Sequence, residues 1–215
     1  MNYRTKRYFA LHHKAAKPQA RSGVTEKSAH YFASKESAPF GTVCGTICGG
    51  VTLMPSIGCR RRLRRNPLVE LKPITESNFV DAFNLKLAPG QEEWVSHPVR
   101  SLAQAYVYRD QCQPFGIYAD GRMVGYVMVV YDYDIPEYDI WHMVIDEAEQ
   151  GRGYGSEALD RAIQYIMTKP FGDSPRVALT CHKDNAVALG LYAKKGFVAT
   201  GAVYDDEVEL AMTVG

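Results

Sequence analysis

With 215 residues and 46% apolar side chains, the chain can build a full hydrophobic core, and its formal net charge of +1 conceals two opposed pieces. Residues 1–67 hold 13 Lys/Arg against 2 Asp/Glu, whereas residues 68–215 hold 12 against 22. Five cysteines, an odd number, give no disulfide framework of the secreted kind and point to an intracellular, cytoplasmic protein.

The first piece reads as a basic extension rather than a domain. It mixes Lys, Ser, Ala, Gly and Pro with no sustained period of 2 or 3.6, so it offers little face to bury. Its uncharged run from Ser37 to Cys59 is interrupted by Pro39 and Pro55 and is too weakly apolar for a membrane span. A basic knot, Arg60-Arg61-Arg62-Leu63-Arg64-Arg65, closes it. Three readings compete: a disordered leader, an organelle-type transit segment, or a tether to a polyanion without sequence specificity. Cys44, Cys48 and Cys59 lack the paired spacing and nearby histidine of a zinc site, so no metal is assigned.

From residue 68 the chain alternates regular elements. Leu68–Ile74 is predicted as an opening strand, and Thr75 or Ser77 as the cap of a helix reaching about Leu87. A second helical stretch covers Ser101–Tyr108. Phe115–Ala119 and Met123–Tyr131 read as a hairpin closed by Asp120-Gly121. After an acidic turn comes a strand ending Ile140-Trp141-His142-Met143-Val144-Ile145. Beyond the next turn, Ala158, Leu159, Ala162, Ile163 and Ile166 recur at helical spacing. Arg176–Cys181 reads as a strand, followed by a helix with Asp184 or Asn185 at its cap and Gly196 as its stop. Val198–Tyr204 and Val208–Thr213 would close as an antiparallel pair.

The most informative segment is the turn Gln150-Gly151-Arg152-Gly153-Tyr154-Gly155, which joins a strand to a helix. A glycine-dense turn there presents unpaired amides at the positive end of a helix dipole, a cradle for phosphate. It has the spacing of neither a P-loop nor a dinucleotide fingerprint. It resembles instead the Gln/Arg-x-x-Gly-x-Gly/Ala loop of the GNAT superfamily of N-acetyltransferases, with Gln150, Gly153 and Gly155 at the fixed positions. The run from Asn185 to Phe197 is similar to the later motif of that superfamily, Asn-x-x-Ala-x-x-Leu-Tyr-x-x-x-Gly-Phe, at every named position. Ser101–Tyr106, Pro114-Phe115 and the stretch from Gly125 to Gly155 resemble more narrowly the bacterial spermine/spermidine acetyltransferases.

The resemblance implies an α/β (α+β) fold: a mixed, mostly antiparallel sheet with a splayed parallel strand pair, flanked by helices. It implies acetyl-CoA as co-substrate, with Met143, Val144 and Ile145 pairing with its pantetheine arm. Gln150, Gly151, Arg152, Gly153, Tyr154, Gly155 and Ser156 would hold its pyrophosphate, and Asn185 would reach it from the following helix. Tyr192 matches the superfamily's proton donor to the departing thiolate, although a buried core tyrosine is the plainer reading. Asp139 falls where some members carry an acidic base, and strand alternation sets it on one face with Trp141 and Met143. Glu137 and His142 are its rivals, while a solvated carboxylate and a packed histidine are the plain alternatives. The acidic run Asp132, Asp134, Glu137 and Asp139 suits a small cationic amine, with Asp134, Glu137 and His142 expected around it. A polyamine is favoured over a peptide or an aminoglycoside, and over a non-catalytic acyl-CoA-binding module. No membrane and no specific nucleic-acid partner are implied, and a homodimer is compatible with the pattern.

Overall fold

The structure, a computed structural model, describes residues 69–215; the basic extension, its three cysteines and the boundary at residue 67 lie outside the described residues. In chain order come β1 (Val69–Pro73), α1 (Phe79–Phe83), α2 (Pro98–Val107), β2 (Cys112–Ala119), β3 (Arg122–Asp132), β4 (Glu137–Ile145), α3 (Tyr154–Met167), β5 (Arg176–His182), α4 (Ala186–Lys194), β6 (Val198–Tyr204) and β7 (Glu207–Thr213). The strands form one seven-stranded sheet in the order β1-β2-β3-β4-β5-β7-β6. Every neighbouring pair is antiparallel except β4 and β5. Order and topology are those expected from the sequence.

Helices cover both faces. Tyr154, Ala158, Leu159, Ala162 and Ile166 of α3 pack with Ile117, Val127, Val129, Ile140 and Leu179. On the other face Ala82, Leu85 and Ala105 pack with Tyr126, Met128, Trp141 and Val144. The β2–β3 hairpin closes through Asp120 and Gly121, both at positive φ (50° and 79°), the geometry that favours this residue pair. Gly196, at φ 92°, ends α4 as expected, and Phe197 returns its amide to the Tyr192 carbonyl.

Two helices depart from expectation. The first spans only five residues, because Asn78 rather than Thr75 or Ser77 stands at its start and the chain leaves helical form at Asn84. The Lys86 amide is drawn instead to the Asp146 carboxylate at 2.9 Å, and the Glu147 amide to the Lys86 carbonyl at 3.0 Å. Long-range bonds thus outcompete one more helical turn. The second helix begins three residues early, at Pro98, with the His97 ring accepting from the Val99 amide. Proline at the first helical position was the overlooked signal.

The register between β3 and β4 shifts between Met128 and Val129, where Met128 faces His142 and Val129 faces Ile140. Trp141 is the extra residue of this bulge. Past it the alternation is inverted. Trp141 packs with the α1/α2 cluster while Met143 packs with the α3 cluster. Met143 therefore does not share a face with Trp141, because the extra residue breaks the period of 2.

Tyr138 on β4 anchors the connection between α3 and β5. Its hydroxyl donates to the Gly172 carbonyl at 2.8 Å and accepts from the amides of Phe171 and Gly172 at 3.1 Å each. Tyr138→Phe leaves these backbone groups unsatisfied and is expected to cost about 1–3 kcal/mol of stability in urea unfolding. An unchanged midpoint would contradict this role.

Candidate functional site

β4 and β5 are paired at only two positions, Tyr138 with Val177 and Asp139 with Ala178. Beyond them β4 remains laddered to β3 as far as Ile145, and β5 to β7 as far as His182, so the two strands part. Among the described residues the β5-facing edge of β4 then has no strand partner. A cleft of about 770 Å³ occupies the gap, and Ile140 to Ile145, Thr180 to His182, the start of α3 and much of α4 line it.

The glycine turn closes one end. Gly151 and Gly153 take positive φ (74° and 91°), which bends the chain back on itself as β4 gives way to α3. Among the described residues nothing accepts from the amides of Gly151, Arg152, Gly153, Tyr154 or Gly155. These donors sit at the N-terminus of a 14-residue helix, where the dipole adds to their pull on an anion. A Cβ on Gly155 would meet only Ile145 and Leu191, at ordinary contact distances. The protein itself therefore leaves room for a side chain there.

The other walls are built by caps and stacks. Asn185 caps α4 by accepting from the Ala188 amide at 3.1 Å, and it lines the cleft. Tyr192, 8% exposed, lines the cleft with its ring 5.9 Å from Phe197, edge to face. His142 also lines it and bonds the Ser101 hydroxyl at 2.8 Å through Nδ1. Trp94 lies parallel to the His182 ring at 6.0 Å. Burial and the nearby Glu207 carboxylate push the Cys181 thiol up to about 12, so it stays protonated at neutral pH.

The family model for the acetyltransferase (GNAT) family matches residues 79–197, more than half the chain. The chain belongs to that family. It is an acetyltransferase, and curated relatives carry the same class of activity in their names. The spermine/spermidine N(1)-acetyltransferase of Bacillus subtilis strain 168 is 27% identical over 142 residues, 62% of this chain and 90% of that protein. Among solved structures, the spermidine N-acetyltransferase of Vibrio cholerae with CoA and spermine has a TM-score of 0.53 at 17% identity, over 67% of this chain and 95% of that one. The PaiA N-acetyltransferase of Thermoplasma acidophilum with coenzyme A has a TM-score of 0.53 at 12% identity, over 68% and 99%. At these identities the two structures attest the fold.

Of the residues expected at the acetyltransferase's site, Met143, Val144, Ile145, Gln150, Gly151, Gly153, Tyr154, Gly155, Ser156, Asn185, Tyr192 and His142 all line the cleft. Three of the expected cofactor residues already have partners within the protein. The Gln150 side chain is spent inside the protein, donating at 3.0 Å to both the Gln91 side chain and the Ile145 carbonyl, which fixes the turn. Arg152 turns back to Glu149 at 3.1 Å, and Glu149 also holds Arg122 at 2.7 Å. The Ser156 amide already donates to the Gly153 carbonyl at 3.1 Å, so Ser156 can offer its hydroxyl instead.

The acidic hairpin falls elsewhere. Asp134 stands on the exposed turn before β4, at the opposite end of that strand from Ile145, and does not line the cleft. Glu137 is buried and bound by Arg176 at 2.6 Å, so its charge is already met. Asp139 is buried at the last paired position of β4 and β5 and is outside the cleft lining too. Glu207, Trp94 and Gln91 line it but were not singled out from the sequence. The run Asp205-Asp206-Glu207 between two predicted strands was the available signal for the first.

Gly153→Ala adds a Cβ that meets no atom within 4 Å but forces an alanine into left-handed backbone. It is expected to cost about 1–2 kcal/mol of stability and to disarrange the amide row. Calorimetric titration should show CoA affinity reduced on the order of 10-fold or more, as for loss of charge-assisted bonds. Unchanged affinity would mean that the turn does not hold the phosphates.

Proposed function

We propose that this enzyme transfers an acetyl group from acetyl-CoA to a primary amine of a small cationic acceptor, a polyamine of the spermine/spermidine class, by direct attack in a ternary complex. The observation that carries the reading is the parted edge of β4 together with the row of open amides from Gly151 to Gly155. An unladdered strand edge suits the amide-bearing pantetheine arm, and the amide row suits a diphosphate. The catalytic unit in this reading is residues 68–215. The named activity of the Bacillus subtilis relative supports the acceptor class.

Acetyl-CoA supplies the acyl group already activated as a thioester. The chain's own work is with protons and charge. A primary amine with an ordinary pKa of ~10.4 is neutral in only about one molecule in ~10³ at pH 7, which costs on the order of 4 kcal/mol. A low-dielectric cleft lowers that cost by disfavouring the ammonium. Tyr192 offers its phenol proton to the sulfur as the carbon–sulfur bond breaks, and a phenol remains protonated at neutral pH until needed. His142, oriented through Ser101, stands in the same cleft as a proton acceptor for the incoming amine. This assigns to His142 the role that the sequence assigned first to Asp139.

Tyr192→Phe keeps the ring that packs on Phe197 and removes only the hydroxyl. Thiol release with spermidine should fall on the order of 100-fold or more while CoA affinity is kept. Full activity in that variant would reject Tyr192 as the acid. Turnover of peptides or aminoglycosides without turnover of spermine or spermidine would reject the acceptor class.

A further inference from the structure

We propose that Glu207 is the carboxylate that receives the acceptor's ammonium, in a corner of the cleft that it shares with His182 and Trp94. This deepens the polyamine reading and rests on it. Glu207 opens β7 directly opposite His182 on β5, so the two side chains project from the same face of neighbouring strands. Trp94 lies against the His182 ring, and all three line the cleft. The residue as a whole is only 9% exposed.

What distinguishes Glu207 is the absence of a side-chain partner among the described residues. Glu137 and Glu209 share Arg176, Glu149 holds Arg122 and Arg152, and Asp132 accepts two backbone amides. Asp206, its neighbour, is paired with Lys183 at 2.6 Å. The Glu207 side chain makes no hydrogen bond or ion pair among the described residues, although the residue is largely withdrawn from solvent. A carboxylate withdrawn from water without a partner is unfavourable, and a cation arriving in the cleft relieves that cost. The nearest aromatic wall suits the same guest, because the face of an indole attracts ammonium and alkyl groups alike. Asp184 and Asp205 lie on the connections flanking the β5–β7 pair, so further charges of a polycation meet an acidic rim.

The test compares the full-length enzyme with Glu207→Gln, which keeps the shape and removes the charge. Spermidine is titrated into CoA-saturated protein, and steady-state constants are taken for spermidine and for acetyl-CoA. The expected result is a spermidine KM raised on the order of 10-fold or more, as for loss of one partner of a buried charge pair, with CoA affinity unchanged. An unchanged spermidine KM overturns the role of Glu207 and leaves the polyamine reading standing. If the wild-type enzyme ignores spermidine but acetylates a peptide amine, the polyamine reading falls. In that event a raised peptide KM in Glu207→Gln still supports Glu207 as the ammonium's partner, and an unchanged one overturns it. Should Glu207→Gln fail to fold, Glu207→Asp carries the comparison. Withdrawing the charge by one methylene must weaken acceptor binding severalfold, and undiminished binding overturns the proposal.

Discussion

The site depends on a competition for two strands. β4 follows β3 and β5 follows β7, and each of those ladders extends well past the two positions where β4 and β5 meet. The extra residue at Trp141 increases the local bend of β4 just beyond Asp139, as bulges do. A sheet that paired β4 and β5 fully would spend the strand edge on itself and leave no cleft. Among the described residues, the fold instead leaves the β5-facing edge of β4 without a strand and the amides of the turn before α3 without acceptors. Such groups are costly when kept from water and ligand alike, which makes them good indicators of a binding surface.

Charge is distributed by the same logic. The described residues carry a large acidic excess, yet most buried carboxylates are consumed by structure. Arg176 ties β4 to β7 through Glu137 and Glu209, and Glu149 gathers two arginines beneath the glycine turn. The acidic hairpin at Asp132 and Asp134 is a turn held by its own backbone bonds, with burial pushing the Asp132 carboxyl above its usual range. Net acidity is therefore a poor guide to where a cation binds. A carboxylate left unpaired inside the cleft is a better one.

Sequence made the glycine-turn and Tyr192 walls of the cleft legible because their signals are local. A glycine turn between strand and helix, and a capped helix carrying Tyr192, are specified by residues within about a dozen positions, and the cleft brings both together. The corner of the cleft around Glu207 and His142 is specified by pairings between distant residues. His182 meets Glu207 through strand register, Trp94 meets His182 through a turn 88 positions earlier, and His142 meets Ser101 through a helix 41 positions earlier. Nothing in a local pattern reports such contacts. Alternation misplaced Met143 relative to Asp139 because one extra residue at Trp141 reverses every side chain beyond it. The fate of Gln150 was hidden for a related reason. Its partner Gln91 sits on a short 3-10 turn that carries no sequence period of its own.

The central assertion is that the amides from Gly151 to Gly155, with the free edge of β4, grip the diphosphate and pantetheine of a CoA thioester. It is tested most directly by following the amide resonances of ¹⁵N-labelled protein as CoA is added. The account predicts large shifts at Gly151, Gly153, Gly155 and along Met143 to Ile145, with little change at Asp134 on the far hairpin. Saturable CoA binding that leaves those amides unmoved, or shifts centred on the Asp134 hairpin, would contradict it.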